Sequence, residues 1–295
     1  MESPRVLSIQ SHVVSGYVGN KSSVFPMQLL GFEVDIINSV QFSNHTGYKS
    51  VKGQVLTEKE LSDLILGLSE NDIDHYTHLL TGYIGSPSFL REIINLYKQV
   101  KSKNPDVIYV CDPVMGDNGK LYVPTELIPI YKNSIVPLAD ILTPNLFETE
   151  LLTDMKINTV TDVWAAIKTL HERGCKTVVI SSAELASAAN KLCIFGSSVK
   201  STPVKLTLEV IKLPALFTGS GDLFTALLMS FLHISNGNLK DSIEKTVAAL
   251  QAVLTRTLDQ FRGKELKPQN MELKLIQSRD DILNPKIVYR ATVED

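Results

Sequence analysis

No run of apolar residues in this 295-residue chain reaches the roughly 20 that a membrane-spanning helix needs. The start carries no apolar signal stretch and no transit-peptide composition, and Glu2 stands where N-myristoylation requires glycine, so a cytoplasmic location without a membrane anchor is expected. Cysteine is scarce. Cys111, Cys175 and Cys193 are far apart and odd in number, which excludes a CxxC site and a disulfide framework and fits a reducing compartment. Neither charge sign dominates: 29 Lys and Arg face 32 Asp and Glu, for a formal net charge of -3. With no basic block, neither nucleic acid nor an anionic membrane is an expected partner, and an anionic substrate must be met by local donors. Two matches to a glycosylation pattern, Asn20-Lys21-Ser22 and Asn44-His45-Thr46, mean nothing without a secretion signal.

Several catalytic motifs are also missing. Gly16-Tyr17-Val18-Gly19-Asn20-Lys21-Ser22 fails as a P-loop, because Asn20 separates glycine from lysine and the first glycine is too near. Gly219-x-Gly221 fails as a dinucleotide fingerprint, because Phe224 occupies the third glycine position and the motif lies late in the chain. No Gly-x-Ser-x-Gly elbow anchors serine hydrolysis. His75 and His78 have no clear metal partners and read as surface or satisfied histidines, whereas His12 and His45 fall in candidate loops.

What is present is an alternation of strands and helices. Val6–Ile9, Val34–Val40, His78–Thr81, Val107–Val110, Ala139–Thr143 and Thr177–Ile180 read as strands, with helical segments between them. Thr57 and Glu60 form a capping box for one helix, Pro124 is placed to start another, and Pro26 to kink or delay a third. Leu192–Phe195 and Lys205–Ile211 look like antiparallel additions, and Ile287–Tyr289 like a last strand. The pattern predicts an α/β fold, a doubly wound, mostly parallel central sheet flanked by helices, in one domain over residues 1–295. Ligands of such sheets bind at strand carboxyl ends. Ser11, Tyr83, Asp112, Thr143-Pro144-Asn145 and Ser181-Ser182 fall there.

The stretch Thr218-Gly219-Ser220-Gly221-Asp222 precedes a run apolar on nearly every side, Leu223–Leu232, which reads as a buried helix. A helix start leaves N–H groups unpaired and favours negative charge, and glycine lets an anion approach closely. Asp222 beside it could accept a proton, which points to phosphoryl transfer to an alcohol; the competing reading is a glycine-rich turn capped by Asp222. Phosphoryl transfer also needs cations on the phosphates. Asp112 and Asp117 are suited to them, and Asn145 and Glu148, three apart at a helix start, could share a ligand. A plain helix cap for Asn145 and Glu148, and a turn role for Asp112 before Pro113, remain open.

Together these stretches resemble the ribokinase-like superfamily, whose signatures Asn145-x-x-Glu148 and Gly219-Ser220-Gly221-Asp222 match. Ser8–Val13, Gly16–Asn20, Asn38–Tyr48, Leu80–Tyr83 and Tyr109–Val114 are similar to the pyridoxal kinases of the animal type, over nearly the whole chain. The resemblance implies that Asp222 takes a proton from the 5′-hydroxymethyl group of the vitamin, with Gly219, Ser220 and Gly221 as anion hole. It implies that Ser11, Thr46 and Tyr83 line the pyridoxal site with Val18 and Phe42 as apolar walls. Asp112, Asp117, Thr143, Asn145 and Glu148 would serve ATP phosphates, Mg²⁺ (or Zn²⁺) and a monovalent ion such as K⁺, with Asp112, Asp117, Thr143 and Glu148 as the metal set. Ser181 and Ser182 would touch phosphates, Leu213, Ala215 and Phe217 would lie by the nucleotide, and Tyr122 would sit on a mobile cover. A cytosolic homodimer is implied too.

Two departures from the family pattern stand out: Ser220 replaces a threonine, which leaves the backbone donors intact, and the Asp117–Tyr122 segment is short. No lysine stands in a matched phosphate position, so metal ions and the helix start must meet the phosphate charge. The helix end is expected to keep Asp222 ionised. The alternatives are another small-alcohol kinase of the superfamily, acting on a sugar, nucleoside or thiamin precursor, and a vitamin B6 carrier without turnover.

Overall fold

The computed structural model describes residues 3–186, 190–200, 203–261 and 267–294. The first part of the chain runs β1 (Arg5–Val13), α1 (Asn20–Leu29), β2 (Glu33–Phe42), β3 (Gly53–Val55), α2 (Glu58–Glu70), β4 (His78–Thr81), α3 (Pro87–Lys103) and β5 (Ile108–Cys111). The middle adds the hairpin β6 (Gly116–Asp117) and β7 (Lys120–Leu121), then α4 (Leu127–Ile130), β8 (Ile141–Leu142), α5 (Leu146–Thr153), α6 (Val160–Glu172) and β9 (Thr177–Ala183). The last part is β10 (Lys191–Ser198), β11 (Val204–Ile211), α7 (Ser220–Ile234), α8 (Leu239–Phe261), α9 (Arg279–Leu283) and β12 (Thr292–Glu294).

Ten strands make one sheet in the order β12-β11-β10-β9-β8-β5-β4-β1-β2-β3. Neighbours from β2 to β9 run parallel. The edges, β3 on one side and β10 to β12 on the other, are antiparallel. Successive strand residues face opposite sides, and both sides are apolar because helices cover both. Leu79, Tyr109, Cys111, Leu142, Val178 and Ile180 pack with α2, α3 and α6. Leu80, Val110, Ile141 and Val179 pack with α7 and α8. α7 is buried from Leu223 to Phe231. Phe224, Ala226 and Leu228 meet the sheet, while Leu223, Leu227 and Phe231 meet Ala249 and Val253 of α8. A helix sandwiched in this way has no polar face to spare.

Thr57 and Glu60 form the expected reciprocal cap of α2. α1 starts at Asn20 with Pro26 inside it, so Pro26 does not delay the helix; hydrogen bonds from Asn20, Ser22 and Ser23 to neighbouring elements hold the first turn. Two expectations are corrected. Pro124 lies ahead of its helix, which begins at Leu127. The last strand is Thr292–Glu294, not Ile287–Tyr289. Glu244 of α8 accepts from Arg290 at 2.9 Å and from the Ala291 N–H at 3.0 Å, and this leaves the residues just beyond to pair with Lys205–Thr207. β3, three exposed residues beside Val40–Phe42, has no apolar pattern that a sequence reading could use. Among the described residues, no helix is long and apolar enough to cross a membrane.

Candidate active site

The strand order reverses between β1 and β4, and the carboxyl ends of β1, β4, β5 and β8 lie along one edge there. Open α/β sheets bind ligands at such a point. The start of α7 is locked to this edge by the loop between β1 and α1. The Gly19 N–H donates to Asp222 Oδ2 at 2.7 Å. Ser22 Oγ donates to the Gly219 carbonyl at 2.9 Å and Ser23 Oγ to the Asp222 carbonyl at 3.1 Å. Two glycines make the approach possible. Gly219 has φ 81°, and a Cβ on it would stand 2.0 Å from the Tyr17 carbonyl oxygen. A Cβ on Gly19, at φ 54°, would stand 2.0 Å from the Ser11 carbonyl oxygen and 2.4 Å from Ser11 Oγ. Ser11, Gly19 and Asp222 are therefore consecutive contacts. Beneath them runs a buried polar chain: Ser8 donates to Asn20 at 2.8 Å, Asn20 to Asn38 at 2.8 Å, and Asn38 to Gln41 at 3.1 Å.

α7 has no side-chain cap: Gly219 is its N-cap residue, and Asp222 takes its hydrogen bond from Gly19 instead. The first-turn N–H groups thus stay available to an anion, and the reading of Asp222 as a cap does not hold. The opposite is true of α5. Asn145 and Glu148 form a complete capping box, with Glu148 Oε2 accepting the Asn145 N–H at 2.9 Å and Asn145 Oδ1 the Glu148 N–H at 2.8 Å. Glu148 Oε1 also accepts the Met115 N–H at 2.9 Å, and Asn145 Nδ2 donates to the Gly116 carbonyl at 2.7 Å. The cap therefore fixes the β6–β7 hairpin as well.

Asp112, Glu148 and Asp222 converge on one another. Burial pushes the Asp112 carboxyl well above the usual carboxylate range, and the charges of Glu148 and Asp222 add to this against a hydrogen bond from Thr225. Glu148 is pushed up to about 7 by burial, opposed by the N–H groups of Asn145, Met115 and Gly116, with the Asp117 charge raising it further. Asp222 stands in the first turn of α7. Burial raises its carboxyl, and the Gly19 N–H opposes this without cancelling it. Asp112 Oδ2 lies 3.8 Å from where a Cβ on Gly221 would stand, beside the first turn of α7. Among the described residues, no Lys or Arg forms an ion pair with these three acids. Crowded oxygen donors without a cationic partner are chemistry that suits a hard divalent cation.

The other expected residues fall on several elements. Thr143 Oγ1 is 2.8 Å from Thr225 Oγ1 under Asp112. Asp117 accepts from the Asn118 N–H at 2.8 Å, and its charge together with that of Glu148 raises the exposed Tyr122 hydroxyl after the burial effect. Ser181 and Ser182 lie inside β9, not past its end, and Ser181 Oγ turns to the Pro144 carbonyl at 3.4 Å. Leu213 and Phe217 pack toward α8 and Ala215 is half-buried, while Leu216 between them is 84 % exposed. A groove of about 720 Å³ along α8 and the C-terminal tail touches this set only at Leu213. Val18 lies by Gly219, and Phe42 ends β2. The Tyr83 carbonyl accepts from Ser39 at 2.7 Å, and burial raises its hydroxyl. Thr46 stands exposed on the loop after β2. His75 does have acidic neighbours, Asp72 and Asp74, but the Lys103 ammonium pairs with Asp72 at 2.8 Å. The contacts of Gly19 and Ser23 with Asp222, of Thr225 with Thr143 and of Glu272 with Tyr17 were not visible in the sequence, since each joins residues distant along the chain.

The fold and these acids define a ribokinase-like kinase. The family model described as phosphomethylpyrimidine kinase matches residues 34–267. A pyridoxal kinase from Arabidopsis thaliana is 52 % identical, with 97 % of this chain and 94 % of the relative covered. The human pyridoxal kinase is 45 % identical, with 99 % of each covered. A solved structure, the Leishmania donovani pyridoxal kinase in complex with ADP and pyridoxamine, superposes with a TM-score of 0.92 at 32 % identity over 99 % of both chains. The chain belongs to the pyridoxal kinase family.

Proposed function

We propose that the chain, as a single kinase domain, transfers the terminal phosphoryl group of ATP to the 5′-hydroxyl of pyridoxal, and of pyridoxine and pyridoxamine as well. One observation carries this reading: Asp222 stands at an uncapped helix start, held by Gly19, with Ser11 on one side and Asp112 on the other. Ser11, Thr46 and Tyr83 bind the vitamin, with Val18 and Phe42 as walls. The alcohol oxygen gives its proton to Asp222 and bonds the γ-phosphorus, and the bond from that phosphorus to the bridging oxygen breaks to release ADP. The backbone N–H groups of Gly219, Ser220 and Gly221 receive the charge on the transferring oxygens. A raised Asp222 suits a base that takes its proton late, as a loose transition state allows. Asp112, Asp117, Thr143 and Glu148 would hold Mg²⁺ and a monovalent ion, which supply positive charge to the phosphates. Asn145, Ser181 and Ser182 bind phosphate oxygens, Tyr122 covers them, and Leu213, Ala215 and Phe217 flank the nucleotide. The ADP and pyridoxamine in the Leishmania enzyme support the substrate pair. A cytoplasmic homodimer completes the proposal, resting on the family resemblance.

The test is purified protein with ATP, Mg²⁺ and a panel of alcohols, with the phosphate ester measured directly. Pyridoxal 5′-phosphate formation is expected. Preference for a sugar, nucleoside or thiamin precursor, or pyridoxal binding without turnover, would overturn the reading.

A further inference from the structure

Glu272 lies between the short 3-10 turn Pro268–Asn270 and α9, far in sequence from the catalytic turn, yet it joins two loops that border the substrate site. Its Oε2 accepts the Tyr17 N–H at 2.9 Å. Its Oε1 accepts the Tyr48 hydroxyl at 2.9 Å and lies 3.3 Å from His45 Nε2. His45 is itself fixed, with Nδ1 accepting the Gly47 N–H at 3.1 Å and its ring edge-on to Tyr48 at 4.8 Å. Thr46 sits between these anchored neighbours. On the other loop, Tyr17 is held by Glu272 through its N–H, its carbonyl packs on Gly219, and two residues on the Gly19 N–H binds Asp222. One carboxylate therefore ties the vitamin-side loop to the segment that aims the base.

We propose that Glu272 is a positioning residue for the alcohol substrate: it fixes the loop of His45–Tyr48 and the loop of Gly16–Gly19 in one register, and so sets how the vitamin's hydroxymethyl group meets Asp222. This rests on the kinase reading above. Glu272 touches neither the acids of the metal set nor the expected phosphate donors, so its effect falls on one substrate and not on the other. A displacement of about 1 Å at a reacting centre costs on the order of 100-fold. The carboxylate gathers its donors with the Glu272 side chain about 12 % exposed, so Glu272→Ala leaves the Tyr17 N–H and Tyr48 hydroxyl without their acceptor.

The experiment compares wild type, Glu272→Ala, Glu272→Gln and Tyr48→Phe. Steady-state kinetics are run against pyridoxal and against ATP, with hydrogen exchange of the backbone followed in each protein. For Glu272→Ala, KM for pyridoxal is expected to rise ~10-fold or more and kcat to fall, with KM for ATP within ~2-fold. Glu272→Gln keeps an acceptor and is expected to recover part of the loss. Tyr48→Phe removes one donor and is expected to shift KM for pyridoxal alone, by a few-fold. Exchange should quicken in both loops together in Glu272→Ala and stay unchanged in β4, β5 and β8. Equal rises in both KM values, unaltered pyridoxal kinetics, or faster exchange in one loop only would overturn the proposal. If Glu272→Ala does not fold, Glu272→Gln and Tyr48→Phe decide by the same readings. A wild type that binds pyridoxal but does not phosphorylate it would sink the kinase reading separately, leaving pyridoxal affinity and loop exchange to test Glu272.

Discussion

Asp112 and Glu272 are both carboxylates drawn in from solvent beside the same helix start, and burial ends differently for each. Burial pushes both up. At Asp112 the nearby charges are those of Glu148 and Asp222, which push the same way, and the hydrogen bond from Thr225 does not offset them. At Glu272 the hydrogen bonds from His45, Tyr48 and the Tyr17 N–H outweigh burial and hold the carboxyl below its usual range. A satisfied carboxylate needs nothing more from its surroundings. A crowded, undersupplied one costs stability unless protons or a cation relieve it. The contrast separates a carboxylate satisfied by its own chain from one crowded by neighbouring acids.

The largest effect expected along this divide is at Asp222. Asp222→Ala should cut turnover with pyridoxal by ~10²–10⁴-fold, the usual range for a general base, while ATP affinity changes much less. Near-normal turnover in that variant would move Asp222 out of the reacting group and into the structural one. Next comes the response to magnesium. Asp112→Asn should raise the Mg²⁺ concentration for half-maximal activity by ~10–100-fold, the scale seen for groups around metal sites. Glu272→Gln should leave that concentration unaltered. A magnesium shift of similar size in both variants would erase the distinction.

Much of the fold was legible from the sequence. The six parallel strands and α8 follow from apolar periodicity, and the caps at Thr57 and Asn145 follow from a hydroxyl or amide three residues ahead of a glutamate. Among the candidate site residues, Asp112, Glu148 and Asp222 stood out in the sequence because each sits in a local motif at a strand or helix boundary. Local motifs say nothing of tertiary electrostatics, so the upward push of burial on the Asp222 carboxyl was not visible in the sequence. Glu272 was unreadable for the same reason. Its partners are Tyr17, His45 and Tyr48, and no spacing rule links residue 272 to residue 17. The last strand was misplaced because Glu244, on α8, decides where the tail docks.

The smallest expected effect is in stability against pH, and its sign follows from the direction of each shift. Glu148 rises from 4.5 to about 7 on folding, so its stabilising contribution is complete below pH 4.5 and is lost as pH rises toward 7; Asp112 and Asp222 act in the same direction. His78, buried against Phe32 and His233, falls from 6.5 to about 4, first through burial and then through the His233 charge. Its contribution is complete above pH 6.5 and is lost as pH falls toward 4. The two therefore oppose each other between about pH 4.5 and 6.5, and Glu148→Gln should expose a steeper loss of Tm on acidification across that window. Magnesium adds a sharper discrimination, because cation binding requires the carboxylates to release their protons. With no nucleotide added, a fixed excess of Mg²⁺ should raise Tm by a few degrees at pH 8, a change of ~1 kcal/mol in a domain of this size, and by less at pH 5. Glu272→Gln should keep that pH dependence and Asp112→Asn should flatten it. Equal magnesium shifts at both pH values in the wild type would show that the crowded acids are not where the cation binds.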